Sequence, residues 1–531
     1  MSFKTNADQQ ISFEDNFLNL SERTRKFVQN SWAKGFGEIV FPAINEDRFA
    51  VLYSTSRASR PNAPVNAIIS ALIIKEMLGL TEDELLASII CGDVRFQYAL
   101  HTTSFSEQPF SDRTFSRFRE RLYNHTQETG RDLLHEEMES MAAVFAEYLG
   151  LNPSVKRMDS LMVASSSKKM SRLEVLYTCV ANMVKVLGKT EGQSVPKKLE
   201  RYLEEEDLNR TIYHRKSEEL GTRLQQVIED AVTLADLLDD EFLETTEYQL
   251  LKRVMEDQTH SGDDGKTVPR ANKDISADSL QNPSDPDATY RKKAGKGHTG
   301  YVGNIVETVD EENGILISSY DYDNNHHSDS KFCKETIEKL GEQEEKTVLI
   351  ADGAYASTDN EDLATKNNIE LVTTALLGKT PDELQADFVL DEQGKTLLKC
   401  PAGHKPYKSR YSDKTETIRA SFNRKTCEHC PLRERCGAKL QKKSAYVLVS
   451  TKKIKRAESV KKMQTEEYRA LAKIRNGVEG MPSVMRRKYN VDKIPVRGLV
   501  RSKIWFSFKI GAINAKRVIK KMMTEPKLVL A

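Results

Sequence analysis

The sequence predicts an α/β protein in which a mixed sheet is flanked by helices, with an all-α region ahead of it and insertions within it. Three observations carry this. Strand and helix patterns alternate from residue 298 to 375: "HTGYVGNIVETVD", "GILISSYDYD", a helix at about 329–341, "KTVLIAD", a helix at about 359–367 and "NIELVTTA". Val348 to Ala351 is apolar without alternation, which marks a strand covered on both faces. An earlier strand, "PSVKRMDSLMV", is set apart from the rest by residues 171–258, whose pattern is helical.

At 531 residues the chain is too long for one core, and three or four domains are expected. Residues 45–148 read as short helices. "LTEDELLASII" opens with a capping box, Thr81 with Glu84. "PFSDRTFSRFRERL" takes Ser111 or Asp112 as cap and places Arg113, Arg117, Arg119 and Arg121 on the following helix. Such an arginine-bearing helix fits a helix-turn-helix-like DNA reader or, equally, an ordinary bundle. A long helix at about 130–149 precedes the first strand. Residues 259–290 are polar, bear Gly and Pro, and read as a loop. The first two strands after it form an antiparallel pair turning through Asn313-Gly314.

Net charge is only +1, but it is unevenly spread. Residues 400–531 hold 34 Lys and Arg against 10 Asp and Glu, leaving 46 against 69 for the first 399. A basic final quarter suits phosphate backbones. No apolar run reaches about 18 residues and no leader pattern opens the chain, so a soluble, cytoplasmic protein without a membrane partner is expected. Seven cysteines, four of them late, fit a reducing compartment. Cys400 in "CPAGH" and Cys427, Cys430 and Cys436 in "CEHCPLRERC" have the makings of a tetrahedral zinc site, with His404 as an alternative fourth ligand. Cys91, Cys179 and Cys333 are isolated and read as core residues.

The chemistry-bearing pattern is acidic. Asp352 ends a buried strand and runs into Gly353; taken alone, this is an Asx-type turn. Asp159 sits on the first strand. If the first and fourth strands are central neighbours, both carboxylates open onto one crevice at the strand ends. "RNGVEGMPSVMRR" places Arg475, Glu479 and Arg486 near one helical face. Three carboxylates converging there suit Mg²⁺, a hard cation. His326 and His327 read as flanking a helix capped by Ser328 or Asp329, His298 as either a crevice neighbour or a surface loop residue, and Trp505, Phe506 and Phe508 as core on a C-terminal helix.

In their order and spacing, "RASRPNAPVNAIISALIIKEMLGLTEDELLASI", "FSDRTFSRFRERL", "RMDSLMVASSSKKMSRLEVLY", "DPDATYRKKAGKGHTGYVGNIVE", "IADGAYAS", "RNGVEGMPSVMRR" and "VRGLVRSKIWFSFKIGAINAKR" resemble the DDE transposases of bacterial insertion sequences. These are the branch with an RNase H-like core and an Arg-x3-Glu-x6-Lys/Arg signature. The resemblance implies a five-stranded RNase H-like sheet over residues 149–170 and 290–380, after a DNA-binding helical domain at 1–148. It further implies a helical insertion at 171–289, a basic Cys-rich insertion at 381–457 and a C-terminal part, 458–531, carrying the third acid. It implies Asp159, Asp352 and Glu479 as a triad holding Mg²⁺ or Mn²⁺, with two metal ions at the scissile phosphate. Water frees a 3′-OH at the element's end, and that hydroxyl attacks target DNA.

The implied partners are double-stranded DNA, both terminal inverted repeats and target, and at least a second copy of the chain, with the protein on the nucleoid when bound. The implied DNA contacts are Arg113, Arg117, Arg121, Arg475, Arg486, Arg487 and Lys488. The alternatives are an RNase H-type endonuclease without strand transfer and a decayed copy that only binds DNA. Three departures stand out: Ala472 replaces an expected tyrosine, with Tyr468 one turn earlier; Arg486 stands where lysine is common; and Gly477, Gly480 and Pro482 weaken the helix, leaving Glu466 and Glu467 as fallback acids.

Overall fold

A computed structural model of the chain describes residues 1–6, 17–56, 59–102, 110–213, 217–263, 265–293, 295–375, 378–477, 480–492 and 494–524. Six strands pair into one mixed sheet: β1 (Val155–Ala164), β2 (Thr289–Lys293), β3 (Lys296–Asp310), β4 (Gly314–Asn324), β5 (Thr347–Ala351) and β6 (Ile369–Thr373). Central β1 runs parallel to β5 on one edge and antiparallel to β3 on the other. β5 continues parallel to β6. Along its far edge β3 takes β4 beside residues 301–310 and β2 beside residues 296–300, both antiparallel. The main path is therefore β4-β3-β1-β5-β6.

The sheet has one strand more than the five expected. β2 begins inside the stretch read as loop, and with three cations in five residues it lacks any apolar strand signal. Pairing with Lys296–Gly300 makes it a strand, in a hairpin whose innermost pair is Lys293 and Lys296. The polar stretch before it also holds a short ribbon, Thr259–Ser261 against Thr267–Pro269.

Helices α1 (Val65–Leu78), α2 (Glu82–Ile90), α3 (Thr114–Thr129) and α4 (Leu133–Leu149) precede the sheet. Between β1 and β2 lie α5 (Arg172–Leu187), α6 (Leu220–Ala235) and α7 (Thr246–Gln258), which bury a core of their own around Leu176, Val180, Ile228 and Val254. Helices α8 (Asp329–Leu340) and α9 (Thr358–Lys366) flank β5 in sequence, and α10 (Thr451–Met463), α11 (Glu466–Asn476), α12 (Gly480–Tyr489) and α13 (Leu499–Thr524) close the chain. The expected caps hold at two of these: Thr81 and Glu84 form a capping box on α2, and Ser328 caps α8. On α3 the cap is Arg113 rather than Ser111 or Asp112, with no side-chain cap bond.

Strand alternation sorts the sheet into two faces. Met158 and Met162 of β1, Val302 and Val306 of β3 and Leu349 and Ala351 of β5 pack with Phe332 and Ile337 of α8 and Ala364 of α9. Leu161 and Val163, Tyr301 and Ile305 point the other way, into a cluster that takes in Phe506, Phe508 and Ile513 of α13 and the helices α1 to α4. One apolar core thus runs from α1 across α13 to the sheet, through residue 148. Phe506 and Phe508 are core residues as expected, and Trp505 packs at its margin. Cys179 and Cys333 are buried, but Cys91 is exposed: it caps the C-terminus of α2 instead of pointing inward.

Polar ties reinforce the join. Glu139 of α4 accepts from Ser319 of β4 (2.8 Å) and is ion-paired to Lys339 of α8. A fourth region, residues 388–457, folds around a four-stranded sheet in which Lys408–Ser412, Thr417–Asn423, Ser444–Ser450 and Lys439–Leu440 pair in that order. No described helix is long and apolar enough to cross a membrane.

Candidate active site

Asp159 and Asp352 meet because of register. In the parallel β1–β5 pairing Arg157 stands beside Ile350; two residues further along each chain come Asp159 and Asp352, on the face turned toward α11 and α13. Each carboxylate is fixed by its own turn. The Ser160 N–H donates to Asp159 Oδ1 (2.9 Å), and the Gly353 N–H to Asp352 Oδ1 (2.5 Å). Asp352 caps the short 3-10 turn Gly353–Tyr355, but through the next residue's N–H rather than the one two residues on that an Asx-type turn uses. Among the described residues neither Oδ2 accepts a hydrogen bond; Asp352 Oδ2 lies 3.8 Å from the Arg475 guanidinium.

Burial pushes the Asp159 carboxyl above the usual range and the Asp352 charge adds to this, while the Ser160 N–H, Arg475 and Lys293 oppose it. Two acids crowd one crevice, with two cations facing the inner one. Lys293 arrives on the unexpected strand β2, 3.4 Å from Ser160 Oγ and 3.9 Å from Asp329. Buried Asp329, at the N-terminus of α8, accepts from Ser160 Oγ (3.0 Å) and pairs with Arg291 (3.0 Å).

A buried clamp places Arg475. Arg157 shares a face with Asp159; its Nε and Nη2 donate to Glu307 Oε2 of β3 (2.9 and 2.8 Å), whose other oxygen accepts from Arg517 of α13 (2.7 Å). Arg157 Nη1 donates to the Ile474 carbonyl (2.7 Å), in the last turn of α11, where a cation also suits the helix dipole. Gly477 is required just beyond: a Cβ there would lie 2.4 Å from Arg157 Nη1. Tyr468, nearer the other end of α11, donates to the Thr373 carbonyl of β6. Sequence reading passed over Arg157, Glu307 and Arg517. The one local hint is a pair of charges, Lys156 and Arg157, inside a strand that is otherwise buried.

Glu479 lies outside the described residues. The fallback acids do not replace it. Glu466 and Glu467 are exposed in the first turn of α11, and nine residues of helix put Glu466 about 13 Å along the axis from Arg475. Arg475 lies in the last turn of α11 and Arg486 on α12. Gly353 has a steric reason. A Cβ there would stand 2.3 Å from the Ala375 carbonyl oxygen.

Of the other residues expected to contact DNA, Arg113, the N-cap of α3, and Arg117 on it are exposed, whereas Arg121 lies over the Tyr53 ring (4.8 Å). Arg486, Arg487 and Lys488 are exposed on α12, with Arg486 paired to Asp492 (3.2 Å). His298 sits on β3, opposite Arg291 of β2, and partial burial, then the charges of Lys169, Arg486, Lys293 and Lys296, depress its pKa. His327 is held between Asp323 (3.1 Å) and Glu335 (2.9 Å) beside the Ser328 cap.

The four late cysteines line one small cavity, with His404 at its exposed rim. Burial, then the charges of Cys436, Cys400 and Cys430, push the Cys427 thiol up. Among the described residues no three His, Cys, Asp or Glu side chains are gathered into a ready metal site.

Two family models match the chain. One, described as "Transposase DDE domain", matches residues 399–519; the other, "Transposase domain (DUF772)", matches residues 25–121. They indicate a DDE-type transposase family, and together they span less than half of the chain. Asp159 and Asp352 lie outside both matched segments, while Arg475 and Glu479 lie inside the first. No curated protein and no solved structure matches.

Proposed function

We propose that this protein is the transposase of a bacterial insertion sequence, with an RNase H-like catalytic core that cuts DNA at the element's ends and joins the freed 3′-OH to target DNA. The observation that carries the reading is the side-by-side placement of Asp159 and Asp352 on adjacent parallel central strands, in a sheet of order β4-β3-β1-β5-β6 with β3 reversed. Numbered by appearance without β2, that order is 3-2-1-4-5, the RNase H arrangement. The matches to transposase domains support it from both ends of the chain.

The residues present fit a divalent cation. Two hard carboxylates share one crevice, the inner one is disfavoured as an anion by burial, and each has an Oδ2 with no described hydrogen bond. Asp159 and Asp352 would hold Mg²⁺ or Mn²⁺, with Glu479 as the third ligand the resemblance implies. Bound cations supply Lewis acidity at the scissile phosphate and make the attacking oxygen more acidic.

The chain supplies no nucleophile: water attacks first and the 3′-OH second, each displacing a 3′ oxygen in line. Arg475 lies against both carboxylates and offsets the charge of the phosphate that enters. Lys293, whose charge acts on Asp159, and the cations gathered around His298, Lys296, Lys169 and Arg486, would draw the DNA backbone in. Exposed Arg113 and Arg117, with Arg487 and Lys488, extend the contact, and two DNA ends ask for at least two copies of the chain.

The test is purified protein with Mg²⁺, a labelled duplex from the DNA flanking the gene and a plasmid target. Labelled ends joined to plasmid, lost in Asp352→Asn, are expected. Nicking without joining would make the protein an endonuclease, and binding without nicking a decayed copy.

A further inference from the structure

We infer that Cys400, Cys427, Cys430 and Cys436 hold one structural Zn²⁺, and that the 388–457 region depends on it for its fold. The inference stands apart from the transposase reading. The four cysteines come from two separate turns. The first is closed by the Gly403 N–H on the Cys400 carbonyl (2.7 Å), with Gly403 at φ +82°. The second is closed by the Cys430 N–H on the Cys427 carbonyl (3.3 Å) and the Arg433 N–H on that of Cys430 (3.2 Å). All four cysteines line one small cavity, and four thiolates around one point are the ligand set of a structural zinc ion. None is in a disulfide.

His404 has its backbone oxygen on the Cys400 N–H (3.0 Å) and an exposed side chain, so the ligand set is four thiolates. Ligation draws the thiols onto the ion and releases their four protons, leaving a net charge of −2 at the site. Arg433 lines the cavity and Arg424, Lys425 and Arg435 stand nearby in sequence to offset it.

A second observation says why an ion is needed. The sheet of this region buries few large side chains, mainly Phe388, Leu397, Ile418, Phe422, Val447 and Val449, and a core that small is usually stapled. The consequence reaches the crevice. Arg435, one residue before Cys436, is bidentate on Asp382 (2.9 and 2.7 Å), and Lys461 of α10 pairs with Asp387 at the other end of the same short turn. Helix α10 leads directly into α11 and Arg475.

The experiment is elemental analysis of the full chain purified under reducing conditions, followed by Co²⁺ exchange. About one zinc per chain is expected, and a thiolate-to-cobalt charge-transfer band after exchange. Cys400→Ser and Cys430→Ser should each lose the metal at least tenfold, and His404→Gln should keep it. Because a cysteine variant could simply misfold, chelation of the wild-type protein is read in parallel. Limited proteolysis should then open residues 400–440 while the sheet around β1 stays protected, and added Zn²⁺ should restore protection. Substoichiometric zinc, iron in its place, metal retained by Cys400→Ser together with Cys430→Ser, or proteolysis indifferent to chelator would each overturn the assignment.

Discussion

Replacing Gly477 by alanine puts a methyl group where the Arg157 guanidinium lies: the new Cβ would stand 2.4 Å from Nη1 and 3.4 Å from Cζ. On helix propensity alone the change should stabilise by up to about 1 kcal/mol, because Gly477 ends α11 in an ordinary right-handed conformation, φ −67° and ψ −22°. The guanidinium is not free to move aside. It is tied at Nε and Nη2 to Glu307 and at Nη1 to Ile474, with Arg157 only 5% and Glu307 0% exposed. Displacing Nη1 forfeits a charge-assisted hydrogen bond, roughly 1.5–3 kcal/mol. The balance is a net destabilisation of about 0.5–2 kcal/mol.

Hydrogen exchange of the α11 and β1 amides, read alongside urea denaturation, measures it. In an Arg157→Met background the same substitution should become neutral or stabilising, which makes a double-mutant cycle. If Gly477→Ala stabilises the otherwise wild-type chain, the clamp does not hold α11 as argued.

Two further outcomes follow from the same geometry. Gly353→Ala sets a Cβ 2.3 Å from the Ala375 oxygen and 2.8 Å from its carbonyl carbon, both backbone, so thermal unfolding should report a loss of about 1–3 kcal/mol that Ala375→Gly does not relieve. Glu139 is partly buried, which by itself raises its pKa, but His135 and Lys339 outweigh this and lower it to about 2. Its folded pKa lies below the unfolded one, so its contribution is complete above about pH 4.5 and is lost as pH falls toward 2. That amounts to about 3 kcal/mol, and Glu139→Gln should flatten this limb in acid-titrated denaturation curves.

The sheet was readable where its strands are apolar and long. "KTVLIAD" announced β5, and "GYVGNIVETVD" with Asn313-Gly314 announced the β3–β4 hairpin, because local periodicity and turn chemistry decide those elements. β2 was not readable, since three cations in five residues make a strand only once β3 offers an edge. The acidic pair was legible as one aspartate on the first predicted strand and one at the end of the fourth, and the register brought them level. The clamp was not. Arg157, Glu307 and Arg517 come together from positions 150 and 210 residues apart, and no periodicity encodes such pairing. Gly477, legible only as a residue that weakens a helix, and Gly353 are sites where another group comes too close for a Cβ.

The central claim is that Asp159 and Asp352 hold a divalent cation together, and iron-directed backbone scission tests it without any knowledge of the DNA substrate. Fe²⁺ with ascorbate and peroxide cuts polypeptide beside the ion. Fragments ending near residues 159 and 352 are expected, suppressed by excess Mg²⁺ and absent in Asp352→Asn. No cut at either position, or cuts unchanged in Asp352→Asn, would contradict it.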